Sequence, residues 1–171
     1  VFDSGIGGLS ILAALRVAMP REHFVYYADS GHAPYGEKGG AFVQQRSLTV
    51  AEALQREHGI KALVVACNTA TTAAIGLLRE RWPRLPIVGV EPALKPALLL
   101  TQTRRVGVIA TRGTLESPRV AALLGGLPHE ARFVLQSCDG LAEAIERNDT
   151  PTITALSQRY LREVGTFGHA P

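Results

Sequence analysis

A chain of 171 residues can bury a substantial core, and 46% hydrophobic with 19% charged residues is typical of a globular protein. The net charge is only +3 and the lysines and arginines are scattered, so a nucleic-acid partner is not expected. No apolar run is long enough for a membrane span, and the N-terminus does not resemble a secretory leader. Two cysteines are too few for a disulfide framework, so we expect a reduced, cytoplasmic protein.

Short β-branched runs alternate along the chain with longer segments of helical periodicity. The predicted strands are a stump at 1–2 and the runs 23–29, 62–67, 86–90, 105–111 and 132–137. The predicted helices lie between and after them, at 8–19, 40–58, 70–82, 93–102, 114–124, 139–147 and 152–164. Apolar strands that alternate with helices predict an α/β fold, in which parallel sheets are flanked by helices.

The segment 91–104 contains two prolines and predicts a boundary between two lobes, residues 1–93 and 94–171. Within the first lobe, Gly59 is expected to end the second helix. From about residue 164 the sequence VGTFGHAP predicts neither helix nor strand. An α/β chain that stops after a helix in this way is expected to be incomplete in its second lobe.

Open parallel sheets bind ligands at the carboxyl ends of their strands. Here those ends carry hydroxyl, carboxylate and thiol groups: Asp3-Ser4-Gly5, Asp29-Ser30-Gly31, Cys67-Asn68-Thr69, Glu91, and Thr111 with Thr114. The glycine-rich run FDSGIGGLS lacks the third glycine of a dinucleotide loop and the Lys-Ser/Thr of a phosphate loop. Either a small-anion site or an ordinary tight turn between strand and helix fits it.

Cys67 ends a predicted strand directly before a predicted helix. Asn68 or Thr69 is expected to cap that helix, whose dipole would lower the pKa of the thiol. The alternative is a packing role, because free cysteines are among the most buried residues. Cys138 lies in a similar turn with plainer surroundings, and a packing role is expected for it.

The turn SGHAPYG follows the second predicted strand and contains His32. Asp29, which precedes this turn, is expected to cap it. The five histidines of the chain show no spacing typical of metal ligands, and the two cysteines show none either. We therefore expect no metal site.

Five blocks of this sequence together resemble the glutamate racemases, within the cofactor-independent aspartate/glutamate racemase superfamily. The blocks are VFDSGIGGLS (1–10), YYADSGHAPYGEK (26–38), VVACNTATTAAI (64–75), PIVGVEPALKPA (86–97) and VGVIATRGTL (106–115). The resemblance covers about residues 1–165. It implies two pseudo-symmetric α/β lobes with the active site in the cleft between them, glutamate as the small-molecule substrate, no cofactor, and a homodimer as the expected assembly.

The resemblance also implies a reaction, the conversion of L-glutamate to D-glutamate for peptidoglycan. Two thiols are needed on opposite faces of the α-carbon, because one base returns the proton to the face that it left. Cys67 matches the first catalytic cysteine, the one that faces the D-enantiomer. The implied substrate-binding residues are Asp3, Ser4, Tyr35, Gly36, Asn68, Thr69, Thr111 and Thr114. Glu146 is a candidate for an acid that supports the other thiol.

The sequence departs from the family at the second cysteine, which there lies in a Gly-Cys-Thr-His motif that this chain lacks. A C-terminally shortened member is therefore expected, without the returning segment that completes the first lobe and with little or no racemisation. Three alternatives stay open: an aspartate racemase, a decarboxylase of the same superfamily that needs one cysteine, and a non-catalytic glutamate-binding protein.

Overall fold

The structure is a computed structural model that describes residues 1–167. It divides into two compact units, one from Val1 to Glu91 and the other from Pro92 onward. This division falls two residues before the predicted boundary. Each unit combines parallel strands with helices, which confirms the predicted α/β class. Among residues 1–167, no helix combines the length and the apolar character needed to cross a membrane.

The first unit alternates strands and helices. Its elements are β1 (Phe2–Asp3), α1 (Leu9–Ala18), β2 (Tyr27–Ala28), α2 (Gly40–His58), β3 (Leu63–Val65), α3 (Asn68–Arg81) and β4 (Ile87–Gly89). The strands are parallel in the order β2-β1-β3-β4. Phe2 pairs with Tyr27 on one side and with Val65 on the other. The turns after β1, β2 and β3 therefore leave the same edge of the sheet.

The core of the first unit is formed by the sheet together with α2 and α3. The side chains that are at most 1% exposed include Phe2, Tyr35, Val50, Leu54, Leu63, Val65 and Leu78. In α2 the buried residues recur at helical spacing and make one apolar face. Gly59 ends α2 in the left-handed conformation (φ 53°), and its N–H bonds the Gln55 carbonyl, as predicted from the sequence.

The second unit contains α4 (Leu94–Leu100), β5 (Arg105–Ala110), α5 (Arg112–Leu115), α6 (Pro118–Gly125), β6 (Arg132–Ser137), α7 (Leu141–Glu146) and α8 (Thr150–Phe167). Strands β5 and β6 pair in parallel over six residues each, Arg105 with Arg132 through Ala110 with Ser137. Helix α8 covers this pair, and its Val164 packs directly against Gly107.

Three predicted elements differ from the structure. The strand predicted at 23–29 pairs only at Tyr27–Ala28. The helix predicted at 114–124 is interrupted because Ser117 caps a new helix that begins at Pro118. The helix predicted at 152–164 continues to Phe167, so the prediction of neither helix nor strand from about residue 164 is wrong as far as Phe167. Val164, in this last part of α8, packs on β5. The rest of the tail, residues 168–171, lies outside the described residues.

Candidate active site

Cys67 follows β3 and occupies the N-cap position of α3. Its Sγ accepts a hydrogen bond from the Ala70 N–H at 3.4 Å and donates one to Ser4 Oγ at 3.6 Å. The residue is 7% exposed. The expectation that Asn68 or Thr69 caps this helix is therefore wrong. The thiol itself is the cap, because Cys67 has the extended backbone conformation that precedes a first helical turn.

The pKa of the Cys67 thiol is raised rather than lowered. Burial is the main cause, and the negative charge of Asp3 adds to it. The Ala70 N–H donates to the sulfur, and once the thiol is ionised the hydroxyl and N–H of Ser4 can donate to it as well. These bonds favour the thiolate, but burial outweighs them. The predicted lowering by the helix N-terminus is thus overturned by desolvation, and the resting group is a thiol.

The backbone on both sides of Cys67 is fixed by Thr71, which is fully buried in the first turns of α3. The Thr71 hydroxyl donates to the Val65 carbonyl at 3.1 Å, and the Thr71 N–H donates to the Cys67 carbonyl at 2.9 Å. One side chain therefore links the end of β3 to α3 across the loop that carries the thiol.

The turn after β1 carries Asp3, Ser4 and Gly5. The N–H and the carbonyl of Gly5 each form a hydrogen bond to a side chain. Asp3, which is 6% exposed, accepts the Gly5 N–H on its Oδ2 at 2.9 Å. The hydroxyl of Tyr26 donates to the Gly5 carbonyl at 2.6 Å. The run FDSGIGGLS is thus a tight turn between strand and helix that places Ser4 against Cys67.

Asp29, after β2, is the centre of a buried polar cluster. Its carboxylate accepts two hydrogen bonds from Arg46 at 2.9 and 2.8 Å and one from the Tyr35 hydroxyl at 2.6 Å. The His32 Nδ1 lies 3.0 Å from the same carboxylate. The predicted capping role is wrong, because this side chain makes no capping bond to the following turn. Although burial acts in the other direction, these partners lower the pKa of Asp29 to about 2.

Tyr35 and Gly36 are both buried in a single 3₁₀ turn, Tyr35–Glu37. The Tyr35 ring packs edge-on against Phe2 and Phe42, with centroids 6.3 Å apart in each case. Burial and the contact with Asp29 raise the pKa of the Tyr35 hydroxyl well above its ordinary value. Because the Tyr35 hydroxyl donates its proton to Asp29, any substrate contact from this turn would be made by backbone groups.

Asn68 and Thr69 form the first turn of α3 beside the thiol. Asn68 is exposed, whereas Thr69 is 6% exposed and its carbonyl accepts a hydrogen bond from the Thr72 hydroxyl at 3.0 Å. N–H groups at a helix N-terminus lack partners within the helix and favour negative charge. This turn can therefore offer donors to a carboxylate.

In the second unit, Thr111 and Thr114 are joined by a hydrogen bond between their hydroxyls at 2.9 Å. Thr111 is partly exposed at the end of β5, and Thr114 is 1% exposed. Glu146 is the last residue of α7 and is partly exposed. The roles implied for these residues, like those of the first unit, stay predictions.

Cys138 lies at the end of β6 and is 6% exposed. Its Sγ donates to the Gln136 carbonyl at 3.6 Å. Burial raises the pKa of this thiol, and the charges of Asp139 and Glu163 add to the effect. The packing role proposed from the sequence stays a prediction. In residues 1–167, no group of three or more His, Cys, Asp or Glu side chains is placed to hold a metal ion.

Sequence reasoning missed Tyr26 and Arg46, both of which support site residues. Each forms its contact across a long separation, 21 residues from Gly5 for Tyr26 and 17 from Asp29 for Arg46. Local patterns do not report such pairs. The parallel pairing of Phe2 with Tyr27 sets Tyr26 beside the start of β1, and its hydroxyl reaches the Gly5 carbonyl in the turn after that strand.

Comparison with known proteins places these features in context. A family model described as Asp/Glu/Hydantoin racemase matches residues 9–166. A glutamate racemase of Ectopseudomonas mendocina is 50% identical over 163 residues, 94% of this chain and 62% of that protein. One from Pseudomonas aeruginosa is 48% identical over 166 residues, 96% of this chain and 62% of that protein. The chain thus spans about three fifths of the length of these curated relatives.

Solved structures of glutamate racemases share the fold. An isoform from Bacillus anthracis superimposes with a TM-score of 0.81 at 31% identity, over 95% of this chain and 62% of that one. The Escherichia coli enzyme, solved in complex with L-glutamate and the activator UDP-MurNAc-ala, gives a TM-score of 0.77 at 40% identity. That match covers 84% of this chain and 55% of the other.

Proposed function

Because the chain belongs to the Asp/Glu/Hydantoin racemase family, we propose that it carries the Cys67 half of a glutamate racemase. The reaction is cofactor-independent proton transfer at the α-carbon of glutamate, which supplies D-glutamate for peptidoglycan. The observation that carries the proposal is the Cys67–Ser4 contact at 3.6 Å, with the charge of Asp3 acting on the same thiol. The names of the matching relatives favour glutamate over the aspartate racemase and decarboxylase alternatives.

In this mechanism Cys67 removes the α-proton of D-glutamate as a thiolate. The resting group is a thiol, because burial and Asp3 raise its pKa. A substrate ammonium close to Asp3 would offset the charge of that carboxylate, and this favours the thiolate. Substrate binding would therefore favour release of the thiol proton to solvent, which leaves the thiolate as the base.

Negative charge then develops on the substrate carboxylate as the α-proton leaves. Ser4, Asn68 and Thr69 supply hydroxyl, amide and backbone donors next to the thiol, and the Tyr35–Gly36 turn supplies backbone N–H groups. Donors fixed in place before the reaction stabilise such a charge without reorganisation. In the second unit, Thr111 and Thr114 are the proposed substrate-binding residues, and Glu146 is the proposed support for a second thiol.

The second thiol of the mechanism is not assigned to any residue of this chain. Cys138 donates to the Gln136 carbonyl at the end of β6, and the sequence holds no Gly-Cys-Thr-His motif. One base can remove a proton and return a solvent deuteron to the same face. This polypeptide alone should thus exchange the α-proton of D-glutamate with little or no racemisation.

The experiment is to incubate the chain with D-glutamate and, separately, with L-glutamate in D₂O. Loss of the α-proton is followed by NMR, and conversion between enantiomers by circular dichroism. Exchange of D-glutamate that disappears in Cys67→Ala and persists in Cys138→Ala supports the proposal. Failure of both enantiomers to exchange contradicts it, and racemisation abolished by either single substitution would make Cys138 the second thiol.

Location and assembly complete the proposal. Both cysteines are free thiols, which suits a reducing compartment such as the cytoplasm. We propose a homodimer on the basis of the family resemblance. Sedimentation at several protein concentrations tests this, and a single monomeric species throughout would contradict it.

A further inference from the structure

We propose that Tyr26 is a positioning residue for Cys67: its hydroxyl fixes the Gly5 carbonyl and thereby holds Ser4 within hydrogen-bond distance of the thiol. This inference deepens the proposed function, because it assigns a task at the same site to a residue outside the set drawn from the sequence. Its importance for catalysis rests on the proposed role of Cys67. The contact itself can be tested without any substrate.

The turn after β1 is held by hydrogen bonds to Gly5. Gly5 is bound through both of its backbone polar groups, the N–H to Asp3 at 2.9 Å and the carbonyl to Tyr26 at 2.6 Å. The Asp3 contact is local, since the two residues are two positions apart. The Tyr26 contact reaches the turn from the neighbouring strand region, 21 residues away. Tyr26 therefore ties this turn to the rest of the unit.

There is little free space around the same turn. A Cβ atom built on Gly8 would lie 2.7 Å from Asp3 Cβ, 3.0 Å from Ala66 Cβ and 3.0 Å from the Tyr26 hydroxyl. The Tyr26 oxygen thus lies in a close-packed space between the start of α1 and the Gly5 carbonyl. A phenylalanine keeps the ring there and removes the hydroxyl with its hydrogen bond to Gly5.

The position of this turn affects the pKa of Cys67 through Ser4. Ser4 immediately precedes Gly5, and its Oγ lies 3.6 Å from the Cys67 Sγ. When the thiol ionises, the hydroxyl and the backbone N–H of Ser4 can donate to the sulfur, and these bonds oppose the rise in the thiol pKa. Loss of the Tyr26 contact frees the Gly5 carbonyl, so Ser4 can move away and these bonds weaken. The thiol then becomes harder to ionise.

The test is the pH dependence of alkylation of Cys67 by iodoacetamide, followed by peptide mass spectrometry in Tyr26→Phe. The midpoint of the profile reports the thiol pKa, and the plateau rate reports access of the reagent. We expect the midpoint to rise by about half a pKa unit, which lowers the rate at a fixed pH below it about threefold. Cys138, in the same molecule, serves as the internal reference and should keep its profile.

Tyr27→Phe is the matched control. Tyr27 is the adjacent tyrosine, is also half-buried, and packs against the core of the first unit. The same loss of one hydroxyl there should leave the Cys67 midpoint unchanged. A lower unfolding midpoint in urea for Tyr26→Phe, with an unchanged Cys67 profile, would reduce Tyr26 to a structural role and overturn the proposal. A fall in the Cys67 midpoint would overturn it as well.

A double-mutant cycle tests whether Tyr26 acts through Ser4. Ser4→Ala alone should raise the Cys67 midpoint, and Tyr26→Phe should add little to it, because residues that act through one contact are not additive. Full additivity would contradict the proposed route. Exchange of D-glutamate in the unsubstituted chain is measured in parallel. If it fails while the alkylation results hold, the proposed function is wrong and the positioning of the thiol by Tyr26 still stands.

Discussion

The carboxylate of Asp3 and the thiol of Cys67 lie at the ends of neighbouring parallel strands, close enough for the charge of Asp3 to raise the pKa of the thiol. The charge of Asp3 thus disfavours the thiolate, whereas a substrate ammonium beside Asp3 would offset this effect. Removal of the charge should separate the reactivity of the thiol from its catalytic use.

Asp3→Asn should therefore change two measurements in opposite directions. The asparagine oxygen can still accept the Gly5 N–H, but the charge is gone, so the pKa of Cys67 falls and its alkylation at a fixed pH becomes faster. Exchange of the D-glutamate α-proton should become slower, because the proposed contact with the substrate ammonium is lost. Glu57→Gln, on the surface of the same unit, should change neither rate. Faster exchange in Asp3→Asn would contradict the substrate-binding role.

The Asp29 cluster predicts a contribution to stability that depends on pH. Its pKa is about 2 in the folded chain and 3.8 in the reference state, so folding favours the ionised form. The contribution is fully present above about pH 5, and it is lost as the pH falls through 3.8 toward 2. The shift corresponds to roughly 2 kcal/mol.

Urea unfolding of the chain and of Asp29→Asn at a series of pH values measures this contribution. Between about pH 5 and pH 2 the unsubstituted chain should lose roughly 2 kcal/mol more stability than the variant, because the other carboxylates are common to both. Equal losses in the two proteins would show that Asp29 is not held ionised by Arg46, Tyr35 and His32.

Two ion-paired arginines of α2 offer a direct comparison. Arg46 forms a bidentate ion pair with Asp29, which is 5% exposed. Arg56 forms an ion pair with Glu57 on the surface. Arg46→Met leaves a buried carboxylate without its cation and should cost about 3 kcal/mol of unfolding free energy. Arg56→Met should change it by less than about 1 kcal/mol. Urea unfolding at neutral pH measures both, and similar losses would be evidence against a buried pair.

Glycine-to-alanine substitutions at two positions should change the free energy of unfolding in opposite directions. Gly8→Ala places a Cβ 2.7 Å from Asp3 Cβ and should destabilise the chain by about 1–3 kcal/mol through overpacking. Gly76, inside α3, has nothing within 4 Å of such a Cβ, so Gly76→Ala should stabilise the chain by about 0.5–1 kcal/mol. Thermal unfolding decides between them. A Gly8→Ala variant as stable as the parent would mean that the turn after β1 can widen freely.

The sequence was sufficient to predict the elements that depend on local chemistry. Alternation of strands and helices, the helix over 40–58 and its end at Gly59 all follow from periodicity and turn chemistry, and the structure confirms them. The break at Ser117-Pro118 carried a readable signal as well, since serine before proline is typical of a helix N-terminus. The helical periodicity of the flanking residues masks this signal.

What could not be predicted depends on contacts between distant residues. The pKa of Cys67 was expected to fall from its place before a helix, but its burial and the nearby charge of Asp3 arise only when β1 and β3 pair. Asp29 was expected to cap a turn, but α2 presents Arg46 to it from 17 residues away. A local pattern identifies the residue type at a strand end, and the packing of its neighbours decides what that residue does.

Thr71 has a consequence for selectivity. Its bonds to the Val65 and Cys67 carbonyls close the loop around the thiol at both ends, so Cys67 has little freedom to follow a substrate. Proton transfer falls steeply when reacting atoms are misplaced by about 1 Å. A thiolate that cannot move toward the substrate should discriminate between D-aspartate and D-glutamate. The two differ by one methylene, which changes the distance between the α-carbon and a bound side-chain carboxylate. Comparing α-proton exchange of D-aspartate and D-glutamate in the chain and in Thr71→Val measures this discrimination directly.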